Sequence, residues 1–266
     1  MKKNEGLICI FDCESILDTE LIRRIYGLSG DDFEISKEAM SLNLEKNGTE
    51  FMPLPFHKVV SICAVITDSF GTFKKVNKID GENEACMIEN FFKFIDDFEP
   101  KLVSFNGKNY DMPLLVLRAL KHNIKASTYL DTNDKWNNYK SKYSELKHCD
   151  LLESLAGGSI ARGLRLDTIC AMANLPGKYD IHGDKVLELF YQNELEKIHE
   201  YCESDVLNTF MLYLKYEFIK GNLLEEDYAN SLNLMNEYLL KHKTNRDYVE
   251  IFVHFSKEEI KRILEK

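Results

Sequence analysis

Five apolar residues, Leu7 to Phe11, run straight into Asp-Cys-Glu-Ser, and this junction constrains the chain more than any other feature. An unbroken apolar run this short reads as a strand buried on both faces. Asp12 and Glu14 stand at its end, two residues apart, so both side chains leave an extended backbone on the same side. Two acids so placed repel one another, and the pair makes sense where a cation sits between them. A polar strand end followed by an acidic loop would also read this way, so the rest of the chain has to decide.

Beyond that strand, residues from Asp18 to Glu50 are polar and helix-leaning, with breaks at Gly27, Gly30 and Gly48. Val59 to Thr67 reads as a second strand, Asp68 to Gly71 as a turn, and Phe73 to Ile79 as the hairpin partner. Asn83 to Phe98 carries apolar residues mostly three or four apart and predicts an amphipathic helix that Pro100 ends. Lys101 to Phe105 is a fourth strand, and Pro113 to Lys121 a helix with its proline in the first turn. The second half reads as helical: Leu151 to Leu155, Asp167 to Ala173, Lys185 to Phe190, a long helix from about Leu195 to Lys220, and more helix from Asn222 onward. Strands early and helices late suggest an α/β chain with a mixed sheet and helices packed on it. Residues 1–220 are expected to form the main domain, and 221–266 a helical carboxy-terminal extension docked on it.

Two more acids stand in places that ask for an explanation. Asp111 follows Asn106-Gly107-Lys108-Asn109-Tyr110, where a strand ends and a helix begins; it fits a metal ligand or a plain N-cap. Tyr201 and Asp205 lie four apart on one face of the long helix, beside the apolar stripe Ile198, Cys202, Val206 and Phe210. A carboxylate next to a buried stripe is costly unless it is paired or binds a metal.

Taken together these are D-x-E on an early strand, N-x3-[FY]-D about a hundred residues later, and Y-x3-D about another hundred on. That order and spacing resembles the DEDD superfamily of 3′→5′ exonucleases, in the tyrosine-bearing subclass that includes the proofreading domains of family B DNA polymerases. Phe51 to Val60 (FMPLPFHKVV) and Tyr201 to Thr209 (YCESDVLNT) further resemble stand-alone bacterial proteins described as polymerase-B-like exonucleases. The resemblance covers roughly residues 6 to 215.

What the resemblance implies is an RNase H-like (DnaQ-like) fold, with a mixed five-stranded sheet flanked by helices. It implies that Asp12 bridges two ions, Mg²⁺ or Mn²⁺, that Glu14 and Asp205 complete the site of the first, and that Asp111 supports the second. Tyr201 would orient the attacking water. Cys13, Ser15, Asn106, Asp111 and Tyr201 are the expected substrate contacts, and single-stranded nucleic-acid 3′ ends the expected partner, DNA ahead of RNA. Two cations about 3.5 to 4 Å apart can serve the attacking and the leaving oxygen of one displacement, and hard divalent ions suit an all-oxygen site. The histidine subclass places its His five residues before the last Asp, whereas His199 lies six before Asp205. On a helix that turns it about 200° from Tyr201, so His199 is expected at the surface.

The net charge of −10 argues against a general electrostatic grip on polyanions, so a nucleic acid would have to be held locally. Lys108, Arg162, Arg165, Lys178 and Lys185 are the cations to suspect; each alone is more often an ordinary solvated charge. Trp136, Tyr139 and Tyr143 could stack bases or pack in the core. Asp150, Glu153 and Asp184 sit in or before first turns, where acids complement the helix dipole. Seven cysteines, an odd number without a C-x2-C pair, fit a reducing compartment and leave a structural zinc site unexpected. No signal peptide or membrane span is read, so a cytosolic protein is expected. No polymerase region follows within the 266 residues, so proofreading in cis is not expected. The rival readings are a catalytically silent binding module on the same fold and an RNase H-like endonuclease.

Overall fold

The computed structural model describes residues 6–142, 144–157, 163–177 and 185–265. Its centre is a sheet whose first strand, β1 (Leu7–Leu17), is the apolar run seen in the sequence. After α1 (Thr19–Tyr26), α2 (Asp32–Asn47) and a short 3₁₀ turn (Leu54–Phe56), the chain returns as β2 (His57–Asp68), antiparallel to β1, and turns back as β3 (Phe73–Lys78). Next come α3 (Glu84–Phe98), β4 (Lys101–Ser104), α4 (Asp111–His122), α5 (Ser127–Leu130) and β5 (His148–Asp150). β4 runs parallel to β1 and β5 parallel to β4, so the sheet is mixed and ordered β3-β2-β1-β4-β5. The remaining described elements are α6 (Leu151–Ala156), α7 (Leu166–Met172), α8 (Val186–Tyr191), α9 (Leu195–Ile219), α10 (Glu225–His242) and α11 (Val249–Leu264). None of the described helices is long and apolar enough to cross a membrane.

Strand parity sorts the core into two layers. Ile8 and Ile10 of β1, with Cys63 and Val65 of β2, face a layer built by α9 to α11. Cys9, Phe11 and Cys13 face the opposite layer, built by α3, α4 and α5 around Phe91, Phe92 and Leu115. With helices on both faces, β1 has no wet side, which is why its first half is continuously apolar. Asp12 and Glu14 continue the parity of Ile8 and Ile10, so they point toward α9.

The helix ends follow local chemistry. Asp18, Asp31 and Asn83 accept N–H bonds from Leu21, Glu34 and Cys86 at the starts of α1, α2 and α3. Gly27 and Gly48 end α1 and α2 in the left-handed region, at φ 70° and 74°, where a side chain would be strained. The carboxy-terminal hairpin of α10 and α11 lies on α9 and the β3 edge: Ser231 of α10 accepts from the Phe73 N–H and donates to the Gly71 carbonyl.

The structure departs from the sequence expectations in three places. β1 does not end at Phe11 but continues to Leu17, so Asp12 and Glu14 lie within the strand; the bulge between Glu14 and Ser15 marks where its pairing shifts. His148 to Asp150 is a fifth strand rather than a helix approach. His199 is not at the surface: it is 4% exposed and its Nδ1 lies 2.8 Å from Ser61 Oγ. The face of α9 away from Tyr201 is turned to β2, not to water.

Candidate active site

β1 and β4 pair only from Ile8 to Ile10, because β4 ends at Ser104. Past that point β1 has donors without a strand partner on that side. The Cys13 N–H is one, and the Asp111 carboxylate takes it: Cys13 N donates to Asp111 Oδ1 at 3.1 Å, and the Cys13 thiol donates to the same oxygen at 3.0 Å. Asp111 is therefore not an N-cap; the cap position is Tyr110, which makes no side-chain cap bond. The carboxylate is spent on β1 instead.

The loop that delivers Asp111 is tightly specified. Asn106 sits in the left-handed region at φ 68°. A Cβ on Gly107 would fall 2.5 Å from the Ser104 side chain, so only glycine fits there. Asp150, fully buried on β5, accepts from Asn106 N–H and Lys108 N–H, both at 2.9 Å, as well as from the first turn of α6. Its place as a first-turn acid is real, but it also holds the Asn106–Tyr110 loop. Ser104 Oγ lies 2.8 Å from His148 Nε2, which locks the strand ends beneath that loop. Burial, and then the Lys108 charge, press the His148 imidazole down to about 3, so it is neutral.

From the other side α9 brings Tyr201, Cys202 and Asp205. The Cys202 thiol donates to the Asp12 backbone carbonyl at 3.5 Å. One ligand atom each from Asp12, Glu14 and Cys202 lie within 4.8 Å of one another. The Tyr201 hydroxyl is hydrogen-bonded to Asp205, as the i,i+4 spacing allows. Thus β1, the loop before α4, and α9 place Asp12, Glu14, Asp111, Tyr201 and Asp205 in one cluster.

The electrostatics of the cluster are those of acids held together. Loss of hydration, then the charges of Asp111, Glu14 and Asp205, push the Asp12 carboxyl well up. Glu14 is raised by burial and then by Asp205 and Asp111. Asp111 is raised to about 6 by burial, against the two bonds from Cys13 that favour its ionised form. No Lys or Arg among the described residues forms an ion pair with Asp12, Glu14 or Asp111. Oxygen donors that repel one another, Asp12, Glu14 and Asp111 among them without an ion pair to the described side chains, fit a divalent cation.

Beside Glu14 a groove of about 610 Å³ opens between Ser15, Phe51, His57, Tyr110 and Leu187. Ser15 Oγ lies 2.6 Å from Tyr110 Oη and 3.4 Å from His57 Nδ1. Phe51, 57% exposed, stacks on the His57 ring at 4.9 Å. Sequence reasoning missed His57 and Phe51 as groove residues; an aromatic among the prolines of FMPLPFHKVV was the signal that could have found them.

Lys108 Nζ pairs with Glu153 at 3.0 Å. Arg165 and Lys185 are exposed, and Arg162, Lys178, Tyr143 and Asp184 lie outside the described residues. Tyr139 is a core residue whose hydroxyl donates to the Pro100 carbonyl at 2.8 Å, and Trp136 is exposed.

Residues 49–256 match the family described as "Predicted 3'-5' exonuclease related to the exonuclease domain of PolB". The chain belongs to this family. This PolB-like exonuclease chain is also similar to much larger polymerases. It is 27% identical over 152 residues to the catalytic polypeptide of DNA polymerase epsilon from Kluyveromyces lactis, covering 55% of this chain and 7% of that protein. To its counterpart from Eremothecium gossypii it is 25% identical over 201 residues, 72% of this chain and 8% of that protein. The chain therefore spans less than a tenth of these relatives. The family B DNA polymerase of the archaeon Pyrobaculum calidifontis superposes with a TM-score of 0.49 and 16% identity, over 89% of this chain and 29% of that one. The RNase H-like sheet expected of this family is the mixed five-stranded sheet observed.

Proposed function

We propose that the protein is a metal-dependent 3′→5′ exonuclease that releases nucleoside monophosphates from single-stranded ends, DNA more readily than RNA. The observation that carries this reading is the convergence of Asp12, Glu14, Asp111 and Asp205 from three separate parts of the chain, with no ion pair among the described residues to Asp12, Glu14 or Asp111. Two bound Mg²⁺ or Mn²⁺ ions would supply Lewis-acid polarisation of the scissile phosphate and charge neutralisation. Asp12, whose carboxyl feels the charges of both Glu14 and Asp111, would hold both; Glu14 and Asp205 would complete one site and Asp111 the other. Tyr201, whose hydroxyl already meets Asp205, would orient the attacking water from the α9 side. Cys13 holds Asp111 in register with β1, and Ser15 and Asn106 would contact the terminal nucleotide. Phe51 offers an open ring face in the groove beside Glu14, a platform for one base of a single strand.

This reading makes residues 1–220 the catalytic unit and 221–266 a helical extension, in a cytosolic protein. It is tested by a time course with 5′-labelled single-stranded DNA and RNA in Mn²⁺, Mg²⁺ or EDTA, comparing wild type with Asp12→Ala and Asp205→Ala. A ladder that shortens from the 3′ end only in wild type with a divalent ion is the expected result. Oligonucleotides left intact under all conditions would point instead to a silent binding module, which the net charge of −10 makes a weak one.

A further inference from the structure

The acids are not the only donors facing the space above β1. Cys202 leaves α9 on the side that covers Asp12 and Glu14, and its sulfur joins their carboxylate oxygens within a 4.8 Å span. The thiol is fully buried, and its polar anchor on β1 is the Asp12 carbonyl at 3.5 Å. Behind it lies a second sulfur. Cys63 stands directly across from Asp12 in the β1–β2 register, on the same face of the sheet. Its sulfur is 3.7 Å from the His199 carbonyl and 3.7 Å from Ser61 Oγ. Both cysteines are free.

Sulfur changes what such a site prefers. Oxygen-only sites suit Mg²⁺ and Mn²⁺, whereas a thiolate among the donors shifts preference toward zinc, which accepts mixed sulfur and oxygen ligands. We infer that Asp12, Glu14 and Cys202 form a sulfur-bearing site that takes Zn²⁺ in preference to Mg²⁺ or Mn²⁺, so that zinc competes with the ions hydrolysis requires. The inference rests on the reading of Asp12 and Glu14 as metal ligands and adds a means of inhibition to that site. Binding is a ligand exchange: the Cys202 S–H bond breaks, a Zn–S bond forms, and one proton goes to solvent, with no change of oxidation state. Spacing rules look for cysteines close in sequence and pass over this arrangement, because Cys202 meets its partners only through the packing of α9 on β1.

The experiment is a titration of the chelator-stripped full chain with Co²⁺ as a spectroscopic stand-in for zinc, followed by Zn²⁺ displacement and by Mn²⁺ binding read by electron paramagnetic resonance. A sulfur-to-cobalt charge-transfer band in wild type, lost on adding Zn²⁺, is expected. The band should vanish in Cys202→Ser and persist in Cys63→Ser, and the ratio of Zn²⁺ to Mn²⁺ affinity should fall at least about tenfold in Cys202→Ser. Proton release on adding Zn²⁺, followed with a pH indicator, should be larger in wild type than in Cys202→Ser, since protons lost from the carboxyls are common to both. Mn²⁺ binding without a sulfur band, or equal proton release in the two proteins, overturns the inference, as does a band that survives in Cys202→Ser. The exonuclease assay run alongside separates the two readings. Hydrolysis without the band sinks the zinc site alone, and a band without hydrolysis sinks the exonuclease alone.

Discussion

Two carboxylate clusters lie along β1 and just past its end, and the two are built on opposite principles. At the far end of β1, Asp18 meets Arg118 Nη1 at 2.6 Å and Lys121 Nζ at 2.8 Å. Glu84 takes Arg118 Nη2 at 2.6 Å and His122 Nε2 at 2.8 Å, and also accepts the Val59 N–H at 2.7 Å. Burial raises Asp18, but the bonds from Lys121, Arg118 and the Leu21 N–H outweigh it and bring the carboxyl down to about 2. A few residues earlier, within β1, Asp12 and Glu14 are pushed up. Where the fold uses an acid as a fastener it supplies the counter-ion; Asp12 and Glu14 have no ion pair among the described residues.

The comparison can be broken at either end. The largest effect is expected from Asp12→Asn, which should slow 3′ shortening about 10³-fold or more, the loss of several kcal/mol of charge stabilisation. Its melting temperature in chelator should equal or exceed that of wild type, since one of the repelling charges is gone. Arg118→Met should do the reverse: it leaves Asp18 and Glu84 buried without their main partner, and urea titration should show a loss of about 3–5 kcal/mol. An Asp12→Asn protein that unfolds early would mean that the site acids are fasteners too.

Next in size is the response to ions. Mn²⁺ at a hundred times its Kd should stabilise wild type by about 2.7 kcal/mol, and Asp12→Asn by far less, in thermal melts with and without EDTA.

The pH dependence should have opposite signs at the two clusters. Asp18 has a folded pKa of about 2, below the ordinary value of about 3.9, so its stabilisation is complete above about pH 4 and is lost as pH falls toward 2. Asp111 has a folded pKa of about 6, so with chelator present the folded state holds a proton the unfolded chain has lost, and stability falls as pH rises from about 4 through 6. Melts across this range should show the deficit of Asp18→Asn shrinking at low pH, and Asp111→Asn gaining on wild type as pH rises. Parallel curves would erase the distinction. The smallest effect belongs to Lys121→Ala, whose partly exposed pairing with Asp18 should be worth only about 0.2–1 kcal/mol by denaturant titration.

Much of this arrangement was legible because it is written in local periods. The parity of β1 put Asp12 and Glu14 on one side, and the four-residue step put Tyr201 beside Asp205. Residues that work across chain distance were harder. β5 has three residues and opens on a histidine, too short for any period, so His148 to Asp150 looked like the approach to a helix. Asp150 carries two roles, and only the local one, at the start of α6, has a sequence signature. His199 looked solvent-facing because a helix was assumed to have one dry side, whereas α9 is covered by the sheet on one side and by α10 on another. Cys202 read as part of an apolar stripe, which it is; nothing along the chain shows that the stripe ends against carboxylates.

That double covering of α9 has a further consequence. Between Tyr201 and Asp205 the helix carries Glu203, 1% exposed, whose carboxylate pairs with Lys243 and accepts the Tyr248 hydroxyl at 2.9 Å in the link between α10 and α11. Alternate residues of a single turn thus answer to different parts of the chain, one set to the acids of β1 and the other to the carboxy-terminal hairpin. Such a turn cannot fray or rotate for one partner alone. Amide hydrogens across it should exchange with solvent only when the whole molecule opens, and cutting the chain after Ile219 should abolish that protection even though every acid of the cluster would still be present.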